Sequence, residues 1–106
     1  MAGTIGRGEV WLFMFKSPDK QRPVVVLSRQ EVIPLLRTVM VAPITSTIHG
    51  APSEVRLGVE HGMLAPCAIN LDHVQTVDKA RLHRYIATLP RDIMQRVCRA
   101  LAIATG

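Results

Sequence analysis

The stretches Arg22-Pro23-Val24-Val25-Val26-Leu27-Ser28 and Val41-Ala42-Pro43-Ile44-Thr45-Ser46-Thr47 decide how this chain is read. Each is a short apolar run with polar groups at one end. Pro23 to Leu27 is apolar without a break, the pattern of a strand buried on both faces, and Pro23 stands first, where a missing N–H is tolerated. The first run carries a permanent cation, Arg22, at its entry, and the second carries three hydroxyls, Thr45, Ser46 and Thr47, at its exit. If the two runs pair in one sheet, guanidinium and hydroxyls meet at a rim. Such a rim suits a phosphodiester, because it offers several donors to non-bridging oxygens.

Further strands are expected on both sides of this pair. Glu9 to Phe15 is aromatic and branched, Thr38 to Ile44 contains the second run, and Ser53 to Leu57 alternates polar and apolar side chains. Cys67 to Leu71, Val74 to Val77 and Arg84 to Leu89 complete the set. Arg29 to Leu36 suits a short helical turn limited by Pro34, and Gly62 is expected to supply a positive φ in the turn before Cys67. Pro90 to Thr105 is the one long helix. Ile93, Met94, Val97, Ala100, Leu101 and Ala104 recur at helical spacing, with Pro90 in the first turn. Short strands followed by a helix predict a mainly β domain, a small and strongly bent sheet or barrel with the C-terminal helix packed on it. Residues 1–106 form a single domain, with residues 1–6 expected to be loose.

Ten of the thirteen basic residues are arginine and the net charge is +5, which favours an anionic partner such as RNA, DNA or an acidic protein segment. Four aromatic residues are too few for a surface of stacked bases. Two cysteines, Cys67 and Cys98, without a signal-peptide pattern read as reduced thiols in the cytoplasm. No stretch approaches the ~20 apolar residues that cross a bilayer, so no membrane partner is expected.

Several chemistries lack their sequence signature. His49, His61, His73 and His83 are evenly spread and not bracketed by cysteines, so no metal site is expected, although His61, Cys67 and His73 would be the candidates. The acids are scattered, unlike those of two-metal nucleases. Gly6-Arg7-Gly8 precedes a strand and is no phosphate loop, so no cofactor is expected either. His49 and His73 offer an acid–base alternative for RNA cleavage, set against plain exposed imidazoles. For Arg22 and for Thr45-Ser46-Thr47 the plain alternatives are a surface ion pair and a loop whose hydroxyls satisfy its own backbone.

The order of Arg7–Trp11 (RGEVW), Arg22–Ser28 (RPVVVLS), Val41–Thr47 (VAPITST), Pro52–Val55 (PSEV), Asp72–Lys79 (DHVQTVDK) and Val97–Ala104 (VCRALAIA) resembles the MazF/PemK family of toxins from toxin–antitoxin pairs. That resemblance implies a small SH3-like β-barrel of the MazF/CcdB-like kind, a homodimer, and a metal-independent endoribonuclease. Such an enzyme cuts single-stranded RNA at a short sequence, leaves a 2′,3′-cyclic phosphate and a 5′-hydroxyl, and is held by an acidic MazE-like antitoxin. It implies Arg22 and Thr45 as the catalytic pair, with Ser46 or Thr47 assisting. Lys16, Lys20, Arg29 and Arg56 are expected to supply phosphate affinity. Asp19, the only acid in the short loop before Arg22, is read as an RNA contact rather than a base. Relatives of the same fold that bind DNA gyrase, or a non-catalytic RNA-binding module, are the alternatives.

Overall fold

The computed structural model describes residues 4–14 and 20–106. Seven strands occur in chain order: β1 (Glu9–Met14), β2 (Gln21–Val26), β3 (Thr38–Thr45), β4 (Glu54–Leu57), β5 (Cys67–Asn70), β6 (Gln75–Asp78) and β7 (Leu82–Thr88). Helix α1 (Arg91–Thr105) follows them. The pairing is antiparallel throughout, in the order β4-β5-β3-β2-β1-β7, with β6 also on β3.

The valine run explains why β2 lies inside the sheet. Val25 enters a cluster with Val10, Ala42, Ile44, Ile69 and the helix residues Ile93, Val97 and Ala100. Val24 and Val26 enter a second cluster with Trp11, Phe13, Val39, Val41 and Leu82. Side chains alternate across a strand, so the two clusters lie on opposite faces of β2. All three valines are buried, each stabilising the fold by about 1.5–3 kcal/mol. On β1, Trp11 pairs with Tyr85 of β7, and their rings meet edge to face with centroids 6.0 Å apart.

The expected barrel is present as a bent sheet that does not close by hydrogen bonds, since β4 and β7 are not paired with each other. The loop after β4 reaches β7 instead. A Cβ at Gly62 would lie 2.9 Å from the Ala87 Cβ, and Gly62 has a φ of +88°. Only glycine meets both demands.

Several boundaries differ from the sequence reading. β2 begins at Gln21, because its ladder with β1 continues to Gln21↔Met14, so Arg22 and Pro23 lie within the strand and Leu27 lies beyond it. Thr45 is the last residue of β3, not the first of a loop. β7 starts at Leu82 rather than Arg84, and Pro90 precedes the helix as its N-cap. Within the start expected to be loose, Ile5 is buried in the second cluster, and the Gly6 N–H donates to Glu9 Oε1 at 2.7 Å. Phe15, placed in the first strand by the sequence, lies outside the described residues.

Candidate active site

The site arises where two neighbouring strands part. The β2–β3 ladder runs Val26↔Val41, Val25↔Ala42, Val24↔Pro43 and then stops. Continued by two residues, that register would set Arg22 opposite Thr45. Instead β2 stays with β1, through Arg22↔Phe13, while β3 turns to β5, through Ile44↔Ile69 and Thr45↔Ala68. Pro23 and Pro43 flank the point of separation, and neither has an N–H to extend the ladder.

The opened space is a cavity of about 600 Å³. Arg22 and Pro23 of β2, Leu12 of β1, and Ile44, Thr45 and Ser46 at the end of β3 line it. The Gly62–Pro66 loop, Cys67, and Arg84 and Ile86 of β7 complete the wall. No aspartate, glutamate or histidine is among these residues. The ion pairs among the described residues, Arg37–Asp78 and His61–Glu60, lie elsewhere, so neither Arg22 nor Arg84 is neutralised by a described carboxylate. Burial pushes the Cys67 thiol above its ordinary pKa, which keeps it protonated.

Thr45 is oriented by its own turn. Its Oγ1 accepts from the Thr47 N–H at 3.1 Å. A hydroxyl that accepts there keeps its proton for a second partner. The plain reading of a self-satisfied loop is therefore half present, and it leaves a directed donor.

The rest of this loop is held by Glu54. Its carboxylate accepts from the N–H groups of His49 at 3.1 Å, Gly50 at 2.8 Å and Ala51 at 3.2 Å, while Gly50 takes a φ of +74°. Charge-assisted bonds of this kind contribute about 1.5–3 kcal/mol. Glu54→Ala is expected to lower unfolding free energy by about that amount. It should also speed amide exchange at residues 49–51. Urea unfolding and hydrogen exchange read both effects, and an unchanged midpoint would show that the carboxylate does not hold the loop.

The structure brings together Arg22, Thr45 and Ser46. Thr47 is exposed just outside the cavity and contributes its N–H. Arg56 shares a row with Thr45 across β5, through Ala68, two strand spacings or about 10 Å away. Lys20 is exposed immediately before β2. Arg29 is not at this cavity; it lines a separate groove with Leu27, Leu36 and Met40, past the far end of β2. Lys16 and Asp19 lie outside the described residues.

None of the described histidines lines the cavity. His73 Nδ1 is 2.9 Å from the Asn70 side-chain amide, and His61 Nδ1 accepts from the Gly58 N–H at 3.0 Å. The catalytic-histidine alternative thus finds no pair facing the opening.

Sequence reasoning missed Arg84 and the Gly62–Pro66 loop. Arg84 reaches the wall because Leu12 pairs with both Pro23 and Arg84, making one row across β2, β1 and β7. Only the order of strands reveals that row.

Residues 6–105 match the model of the PemK-like, MazF-like toxins of type II toxin–antitoxin systems. The chain is 41% identical over 105 residues to a probable endoribonuclease MazF5 of Mycobacterium tuberculosis (strain ATCC 25618 / H37Rv), spanning 98% of this chain and 95% of that protein. Among solved structures it is similar to the Mycobacterium tuberculosis toxin MazF-mt6, with a TM-score of 0.84 and 32% identity over 92% of this chain and 95% of that one. It is also similar to the chain in a MazE-MazF crystal structure (Form-III) from Deinococcus radiodurans, with a TM-score of 0.80 and 26% identity over 97% of each.

Proposed function

The chain belongs to the PemK-like, MazF-like toxin family, and from that membership we propose that it is an endoribonuclease toxin cutting single-stranded RNA at a short sequence without a metal ion. The observation that carries this reading is the shared wall: Arg22 and Thr45 both line one cavity where β2 and β3 separate.

The chemistry is transesterification within the RNA. The 2′-oxygen forms a bond to the adjacent phosphorus and loses its proton. The bond from phosphorus to the 5′-oxygen breaks opposite it, and that oxygen gains a proton. The products are a 2′,3′-cyclic phosphate and a 5′-hydroxyl. Arg22 donates to the non-bridging oxygens, whose negative charge grows in the pentacovalent transition state. The Thr45 hydroxyl donates its remaining proton to the same phosphate, and Ser46 assists from the next position. Donors fixed before the reaction stabilise that charge without reorganising. A guanidinium supplies the positive charge here, and the described residues of the wall include no carboxylate or imidazole to hold a cation.

Arg56, in the same row as Thr45 two strand spacings away, and Lys20 are placed to hold flanking phosphates, with Thr47 at the edge of the cavity. Lys16 and Asp19 are kept as RNA contacts on sequence grounds alone. Arg29 serves a different surface and is not assigned to the scissile phosphate. Destroying messenger RNA in this way would inhibit translation and growth.

The active form is proposed to be a homodimer. An acidic, partly disordered antitoxin segment would neutralise the arginines of the same opening. The relative from Deinococcus radiodurans was solved as a MazE-MazF complex. None of the helices among the described residues is long and apolar enough to cross a membrane, and a cytoplasmic location fits a messenger RNA substrate.

Purified protein is expected to cut single-stranded RNA in excess EDTA. The fragments should carry 2′,3′-cyclic phosphate ends, and binding should weaken steeply with salt. A requirement for a divalent ion, or 3′-hydroxyl ends, would overturn the mechanism.

A further inference from the structure

The cavity beside Arg22 is larger than a phosphate needs, and much of its wall is aliphatic. Leu12, Ile44, Met63 and Ile86 line it together with Arg84. A phosphate is held by donors and gains nothing from such walls. A nucleobase combines apolar faces with a polar edge, and about 600 Å³ lies within the range of small-molecule pockets.

We propose that this cavity seats the nucleobase next to the scissile phosphate, and that Arg84 reads its edge and so determines cleavage specificity. The proposal rests on the RNA-cleaving reading given above. Position supports it: Pro23, Leu12 and Arg84 form one row and Arg22 lines the same cavity, so a nucleotide with its phosphate at Arg22 can direct its base toward Arg84. A fully exposed Leu64 also lines the cavity, where an entering base would cover it.

The chemistry of the wall selects among bases. A guanidinium has five donors and no acceptor. It matches O6 and N7 of guanine, or O4 of uracil, at the edge position where adenine and cytosine carry an amino group that would meet it donor to donor. Among the described residues, no Asp, Glu, Asn or Gln side chain lines the cavity to accept from those amino groups. The site therefore prefers a keto base, guanine or uracil, at one position beside the cut.

The test is end-sequencing of fragments from randomised single-stranded RNA, cut in EDTA by the wild-type protein, Arg84→Met and Leu64→Ser. Arg84 is exposed and methionine keeps the stem, and thermal unfolding checks that both variants fold. One flanking position should favour keto bases in the wild type. Arg84→Met should lower that preference about 5- to 100-fold, leaving preferences at other positions in place. Leu64→Ser should reduce cleavage at preferred sites more than elsewhere.

An unchanged motif, an amino-base preference, or a uniform loss across all sites would overturn the assignment. So would variants that keep the motif and lose only affinity for an acidic peptide, since the cavity would then serve an antitoxin. Titration with GMP, UMP, AMP and CMP separates the two readings. If the wild type does not cut RNA yet binds GMP or UMP over AMP and CMP, and Arg84→Met abolishes the difference, the pocket stands and the nuclease reading falls. Equal binding of all four, with no base preference at cleavage sites, removes the pocket alone.

Discussion

Arg22→Ala is expected to lower RNA cleavage about 100- to 1000-fold while the protein stays folded. Arg22 is exposed and sits on the penultimate rung of the β1–β2 ladder, where its backbone pairs with Phe13 whatever its side chain. Its removal should change unfolding free energy by no more than about 0.5 kcal/mol. The loss should fall on kcat more than on KM, because the guanidinium meets its strongest partner only when charge has built up on phosphorus. Arg22→Lys should recover part of the rate: the charge remains, but the planar fork that spans two phosphoryl oxygens does not. Single-turnover cleavage, with an unfolding curve for each variant, measures both quantities. An alanine variant near wild-type activity would remove Arg22 from the chemistry. A loss of activity matched by a lower unfolding midpoint would make it a folding residue.

The two halves of this site were unequally legible in the sequence. Pro23–Leu27 announced a buried strand because a continuous apolar run has few other uses, and Val24, Val25 and Val26 are indeed buried on both faces. Helix α1 was legible for the same reason, its apolar stripe Ile93–Val97–Ala100 recurring with the helical turn. Arg22 and Thr45 were visible as polar residues closing two apolar runs. That both line one cavity was legible only on the condition that the two runs pair, since register is a property of pairs of strands. Strand ends were misjudged where one partner leaves before the other. Arg22 looks like a strand entry when only β3 is considered, yet the β1 ladder includes it and runs one rung further, to Gln21.

Arg84 carried no local signal at all. It stands in a polar stretch, His83-Arg84-Tyr85, and it gains meaning only because β1 lies between β2 and β7. Ile5 was misread for a related reason: one apolar residue among small neighbours shows no period, yet it completes a cluster built by Trp11 and Ile33.

Thr45→Val should cost about 100-fold in cleavage rate, and Thr45→Ser much less. Valine keeps the shape and the β-strand preference of threonine but has no hydroxyl, so the donor to the phosphate is lost while the end of β3 stays in place. The Thr47 N–H also loses its acceptor, but Thr47 is exposed and water can replace that bond, so stability should change little. Serine restores the hydroxyl with a freer χ1, and the remaining deficit measures what the threonine methyl adds by fixing the rotamer. The double variant is the decisive case. If Arg22 and Thr45 grip the same phosphate, then once either is gone the transition state is already misplaced, and removing the second adds less than its own single cost. Losses that simply multiply would mean that the two side chains act on different groups, and that the cavity wall they share is not one active site.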